Sequence, residues 1–485
     1  MRQLLQKVIA KCGAFPILVG FPALLWPALW NGYPIVFADT GTYLSQAIHR
    51  YAGWDRPVFY SLFLLPLHGT LTLWPVVVVQ ASLTAWILWL VCRTLLPNPS
   101  VVAFASGLAF LSACTWLPWI VGEVMPDLFT PLLVLVICLL SAVPERLSQR
   151  ERMVVAALAT FMIASQQSSL PLAGILLVVL GGPSIWWGEK APAHERRIAA
   201  ASSVPVTPSP RQRFWSRGID ATLASPSLPA NRRRLLLALP PILAILGLCT
   251  ANLAAHGRFA ISPFGNIFLL ARVIYDGPGM TTLRRDCPTS NWRLCEYIDR
   301  FPTTSDEFLW STDSPLYLAG GPKIVSDDAG AIIQAALISD PAGEAQAAIR
   351  NMLEQLRRFD SGDGLEPWPA QVSPWIQRDL PAAEQAAYAS ARQQTGRLTV
   401  PKFLATTHQA TALAGVAGTM LLLPIALRRR APCARFLLAV LLALPISAAI
   451  TGGLSAPHDR YQSRIMWLPP FIAVVSLMAL LRPRE

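Results

Sequence analysis

The chain has 485 residues, 53% of them hydrophobic and only 14% charged, with a formal net charge of +12. Soluble domains carry about a quarter of their residues as charges, so this composition excludes an ordinary soluble enzyme and points to a polytopic membrane protein. A positive excess of this size would also suit nucleic acid, but its distribution along the chain removes that reading.

Charge-poor runs of about 17 or more residues, enough to cross a bilayer core, recur about ten times, at 13–31, 72–92, 101–121, 127–144, 153–168, 169–187, 235–255, 406–427, 436–454 and 465–481. The polar Gln166-Gln-Ser-Ser169 and Pro171 divide 153–187 into a hairpin rather than one long helix. The first run is long and has no small-residue cleavage site, so it reads as a span and not as a removable signal. The expected fold is all-α, about ten transmembrane helices with amphipathic outer-face helices and a small, mainly helical extracytoplasmic segment.

With the N-terminus inside and the spans alternating, the inner segments hold Arg2, Lys7, Lys11, Arg93, Arg146, Arg150, Arg152, nine basic residues of 188–234, Arg428 to Arg430, Arg435, Arg482 and Arg484. These are 22 of the 40 basic residues, against six acidic ones. That is the positive-inside pattern, and it accounts for the net charge without a nucleic-acid partner. Five blocks follow: a bundle with outer loops at 1–187, a basic inner loop rich in Pro, Ala and Ser at 188–234, a span at 235–255, an outer segment at 256–405, and closing spans at 406–485. Within the outer segment, Ala342–Phe359 places Ala345, Ile349, Met352, Leu353 and Leu356 at helical spacing.

Of eight cysteines, only Cys287 and Cys295 fall in the outer segment. An oxidising compartment would join them; otherwise they are two unpaired thiols.

Three outer loops carry the candidate chemistry. The first holds Asp39, Tyr43, His49, Asp55 and Arg56. The stretch after Asp39 is amphipathic and predicts a short surface helix; a second is expected from Val58 to Leu67. Asp39 is either a general base for an acceptor hydroxyl or the cap of the helix starting at Thr40. The second loop reads Glu123-Val-Met-Pro-Asp127. Its carboxylates are candidates for a divalent cation or for substrate hydroxyls, and Asp127 alternatively sits in a helix's first turn behind Pro126. The last loop packs His458, Asp459, Arg460, Tyr461 and Arg464 beside the final span. Arginines held outside, against the topology rule, suit a phosphate, because a guanidinium donates paired hydrogen bonds to phosphate oxygens; the plainer alternative is an ion-paired helix anchor. His256, Arg258 and His408 lie near enough in the topology to join them. There is no Walker loop, no His-Glu-x-x-His, no Gly-x-Ser-x-Gly and no zinc-type Cys-x-x-Cys pair.

Taken together, the first-loop Asp, the run Asp55-Arg-Pro-Val-Phe-Tyr60, the acidic second loop, the long outer segment and Arg460-Tyr461 before the last span resemble the GT-C superfamily of integral-membrane glycosyltransferases. The likeness is best over the first 190 residues. It implies an enzyme that moves a sugar from a polyprenyl-phosphate donor to a lipid, glycan or protein acceptor. It also implies a bacterial cytoplasmic membrane, with both termini cytoplasmic and the active site outside. It assigns the catalytic role to Asp39, acceptor or metal roles to Glu123 and Asp127, and donor-phosphate roles to Arg56, Arg460 and Arg464. Ala38 and Thr40 flank Asp39 where some members carry a second carboxylate. The alternatives are a transporter or flippase, whose charges belong near mid-membrane, and a non-catalytic subunit of an envelope-polysaccharide system.

Overall fold

A computed structural model describes residues 15–181 and 230–481. Most of the expected basic inner loop, with Arg2, Lys7, Lys11, Cys12, Arg482 and Arg484, lies outside the described residues. Among those described, the elements are helical and no strand forms; an isolated parallel bridge joins Ile35 to Glu123.

The chain opens with α1 (Phe15–Asn31), followed by two first-loop helices, α2 (Ala38–His49) and α3 (Val58–His68). The hairpin α4 (Trp74–Leu95) and α5 (Val101–Cys114) leads to α6 (Phe129–Ala142), and a second hairpin pairs α7 (Gln149–Ser165) with α8 (Ser169–Gly181). The break between α7 and α8 falls at Gln166–Ser168, where the polar run predicted it. After α9 (Ala230–His256), the long segment supplies α10 (Asn266–Asp276), α11 (Pro322–Ser339), α12 (Pro341–Arg357) and α13 (Pro369–Asp379). The chain closes with α14 (Lys402–Arg428), α15 (Cys433–Leu454) and α16 (Leu468–Leu481).

Among the described residues, five helical stretches are long and apolar enough to cross a membrane: Trp74–Leu95, Arg232–His256, Lys402–Arg428, Cys433–Leu454 and Asp459–Leu481. The apolar helices Val101–Cys114, Pro126–Ala142 and Ser169–Gly181 are shorter. At 1.5 Å per residue a helix of 14 residues covers about 21 Å, less than a hydrocarbon core of about 30 Å. Helix α6 sits in the middle of the bundle, with every residue from Phe129 to Ser141 buried among α4, α7, α8 and α15. Where the surroundings are lipid, apolar transfer gives helices little reason to associate, and close packing of small residues takes over. Gly415 of α14 shows this: a Cβ there would collide with Pro470 at the start of α16.

One end of the bundle is closed by arginines on helix-terminal carbonyls. Arg146 donates to Thr94 (2.5 Å), Arg435 to Ser141 (2.7 Å) and Arg429 to Leu480 (2.6 Å). The last carbonyls of a helix have no partner within it, and these guanidiniums supply one. The opposite end carries the three acidic and basic loops.

The long segment is two units rather than one cap. Residues 267–336 form a core of their own around Leu270, Leu283, Phe308 and Ile332, with Trp54 of the first loop packed against it. Residues 365–398 belong to the main core instead, through Leu365, Val372, Ile376 and Tyr388. Helix α13 lies directly on α2, an approach that requires Gly41, since a Cβ there would strike the carbonyl of Gln371. Cys287 and Cys295 are joined as a disulfide across eight residues, with Cα atoms 5.3 Å apart.

Helix α12 forms where the apolar spacing placed it, yet it is turned the other way. It buries Glu344, Ala347, Asn351 and Gln355, while Ile349 and Leu353 are 57% and 46% exposed. The polar face is inward because it has fixed partners there. Glu344 pairs with Arg272 of α10 at 2.6 Å, Asn351 donates to Asp276 at 2.7 Å, and Gln355 holds the last loop. Gly452 of α15 lets this face come close; a Cβ would lie 2.6 Å from the Asn351 carbonyl.

Candidate functional site

The site forms where the first, second and last loops meet the 358–364 turn. Helix α2 begins at Ala38, two residues earlier than the capping reading requires. Its N-cap residue is Phe37, and Thr40 three residues on reaches back: its hydroxyl accepts from the Phe37 amide at 2.9 Å and donates to the Val124 carbonyl at 3.1 Å. Asp39 is therefore free of the backbone, in the first turn, and its side chain reaches outward to two guanidiniums.

Arg56 Nη2 lies 2.7 Å from Asp39 Oδ1, and Arg460 Nη2 lies 3.5 Å from Asp39 Oδ2. The three side chains are 13%, 18% and 17% exposed, so the cluster is closed but not sealed. Burial alone would push the Asp39 carboxyl up; Arg56 first and Arg460 second outweigh it and hold the group below the ordinary aspartate value. These three side chains together carry one positive charge in excess, with Asp55 beside Arg56 and Asp127 and Asp363 near Arg460.

Aromatic faces roof both cations. Arg56 lies over Trp310 and Phe268, 5.5 and 5.9 Å from the ring centres, and Trp54 stacks on Phe268 at 5.6 Å. Arg460 lies 3.8 Å from the centre of the Phe37 ring and 5.0 Å from that of Tyr461. Such contacts fix a guanidinium without using its N–H donors.

The second loop splits its two acids. Asp127 turns inward and takes Arg464 Nη1 at 2.6 Å, with side chains only 7% and 2% exposed. Glu123 does not share that cation. Its backbone is held by the bridge to Ile35 and by Gln80, which donates to the Glu123 carbonyl at 2.8 Å. Its partly buried carboxyl receives no hydrogen bond or ion pair among the described residues. Burial, then Asp127, Asp363 and Asp39, push this carboxyl well above the ordinary glutamate value, with Arg460 pulling the other way. The two acids read as a pair in the sequence thus have separate environments. No group of three or more His, Cys, Asp or Glu side chains among the described residues could hold a metal ion.

Tyr43 and Asp55 lie beneath the site. Tyr43 is buried edge-on to Tyr60 at 4.9 Å. Asp55 is 7% exposed, and burial raises its carboxyl despite the adjacent Arg56. The ring of Tyr461 lies between Arg460 and Arg464, and His458 meets it edge-on at 5.4 Å. Burial and Arg460 lower the His458 pKa against the pull of Asp306, leaving a neutral ring at neutral pH.

His256, Arg258 and His408 do not join the arginines. They engage the Gly53 carbonyl (3.2 Å), Asp327 (2.8 Å) and the Ser361 hydroxyl (2.8 Å). His49 turns away to Asp379 at 3.1 Å. The residue that sequence reasoning missed is Asp363, whose Oδ2 accepts from the Arg460 amide at 2.8 Å. An acid between Gly362 and Gly364, both at positive φ, is the signal that was there to read.

Two buried glutamines hold the first and last loops in place. Gln393 accepts from the Val36 amide at 3.1 Å and donates to the Val36 carbonyl at 2.6 Å. Gln355 does the same for His458, at 3.0 and 2.7 Å. Each side-chain amide imitates a neighbouring strand, satisfying both backbone groups of one loop residue. No family model, curated protein or solved structure matches the chain.

Proposed function

We propose that the chain is a membrane glycosyltransferase of the GT-C kind, moving a sugar from a polyprenyl-phosphate donor to an acceptor hydroxyl at the outer face of the cytoplasmic membrane. The observation that carries this reading is the cluster of Asp39 between Arg56 and Arg460. It is net positive, aromatic-walled and placed at the loop end of apolar helices. A lipid phosphate keeps its chain in the bilayer and brings its headgroup to that level. Guanidiniums are suited to hold the phosphate and to stabilise its charge as it leaves. The resemblance of the loops to that superfamily supports the same assignment, as does a disulfide in the outer segment. In this reading about ten helices span the bilayer, the shorter ones where it is locally thin or where neighbours cover them.

A transporter is the weaker reading, because the ionisable groups of the bundle lie at its two ends and not at its middle. The test is the glycolipid and surface-glycan profile of a strain lacking the gene. Wild type is expected to restore the missing glycan and Arg460→Gln to leave it missing at equal protein level. A profile that deletion leaves unchanged would rule the proposal out.

A further inference from the structure

We propose that Glu123, and not Asp39, takes the proton from the acceptor hydroxyl, and that Asp39 is a positioning residue holding Arg56 and Arg460 ready for the donor phosphate. This rests on the glycosyl-transfer reading above.

A general base needs a free lone pair facing the substrate and a pKa near the working pH. Asp39 has neither. Both of its oxygens are engaged by guanidiniums, which also keep it a very weak base. Its geometry is that of a strut between the first loop and the last. Glu123 has both. Its carboxyl is partly open to solvent and receives no hydrogen bond or ion pair among the described residues. The backbone beneath it is fixed on both sides, by Ile35 and by Gln80, so the side chain is presented from a rigid edge. Thr40 ties the very next residue, Val124, to the turn that carries Asp39 by donating to its carbonyl.

The charged and titratable groups around Glu123 come from four places. Asp39 faces it from α2, Asp363 from the 358–364 turn, Arg460 from the last loop and Asp127 from its own loop. Tyr60 of α3 lies below, hydrogen-bonded at 2.7 Å to the Gln80 that holds the Glu123 carbonyl. Burial, together with three carboxylates against one guanidinium, disfavours the ionised form and raises the pKa of this carboxyl.

In the reaction the acceptor oxygen attacks the anomeric carbon. The new carbon–oxygen bond forms as the bond from that carbon to the phosphate oxygen breaks. The phosphate leaves with the electron pair, its charge met by Arg56 and Arg460, and the hydroxyl proton passes to Glu123. No acid is needed for a leaving group that is already a stabilised anion.

The two assignments differ in pH dependence. A base of raised pKa loses activity as pH falls through that value, so the acid limb of the rate profile lies well above the ordinary glutamate range. With Asp39 as base the limb would lie below the ordinary aspartate range. The assay uses the full-length protein in nanodiscs. Its substrate is a lipid extract of the deletion strain carrying tritium-labelled sugars, and the readout is loss of label from the polyprenyl-phosphate fraction. Wild type is expected to show the high limb, and Glu123→Gln to slow consumption about a hundredfold or more and abolish the limb. Glu123→Asp, which keeps the carboxyl if Gln is not tolerated, is expected to retain a limb at a reduced rate. Asp39→Asn is expected to keep the limb and raise KM for the donor. A Glu123→Gln protein as fast as wild type, or a limb that disappears with Asp39→Asn, overturns the base assignment alone. Wild type that consumes no label overturns the transfer reading and this inference with it.

Discussion

Two ion-pair clusters lie at the loop end of the bundle, and they are balanced differently. Asp127 and Arg464 form a one-to-one pair, sealed from solvent at 7% and 2% exposure. Asp39 is shared between Arg56 and Arg460, and all three are still touched by solvent. The first cluster has no charge left over and no room for another group. It fastens the second loop to the last span. The second has one cation in excess and an opening. Charge imbalance, more than the presence of charge, separates a place suited to an anion from one that only holds the fold.

The largest test of that contrast is Asp127→Asn. It leaves the Arg464 guanidinium buried and unpaired, which costs about 3–5 kcal/mol for a broken buried pair. Thermal unfolding in detergent should show it, and Asp127→Leu with Arg464→Met should recover most of the loss. An Asp127→Asn protein as stable as wild type would put the two clusters in one class. Arg460→Gln is expected to act the other way round. Transfer should fall about a hundredfold, equivalent to roughly 2.7 kcal/mol of transition-state stabilisation, while the melting temperature barely moves. Gln393→Ala comes next. It strands the buried amide and carbonyl of Val36 and should cost about 1–3 kcal/mol, seen as faster hydrogen exchange in the 33–40 stretch. The smallest effect belongs to Arg258→Ala. Its pair with Asp327 is 41% and 55% exposed, and such pairs contribute within about 1 kcal/mol. Both activity and melting should stay near wild type.

The helices were legible because apolar length and flanking arginines are local signals. The hairpin at Gln166 to Ser168, the helix after Asp39 and the helix starting at Val58 all follow from nearby residues. What escaped was set by distant partners. Thr40, not Asp39, serves the helix start, and that choice depends on the Val124 carbonyl from the second loop. Glu123 and Asp127, four apart, look like one ligand pair until Arg464 takes one of them. Asp363 enters through the amide of Arg460, 97 residues away. The apolar spacing in α12 predicted the helix but does not mark its buried side. Its inward face is chosen by Arg272, Asp276 and the backbone of His458, none of which leaves a periodic trace.

Asp39 and Arg56 are 17 residues apart, whereas Asp39 and Arg460 are 421 apart. A chain made from its N-terminus therefore has its first guanidinium–carboxylate contact almost at once and lacks the second until nearly every helix has been inserted. Segments that emerge early fold as units before later ones exist. The surplus positive charge of this cluster thus comes late in synthesis. Any product that stops before residue 455 carries a neutral Asp39–Arg56 pair and none of the surplus positive charge.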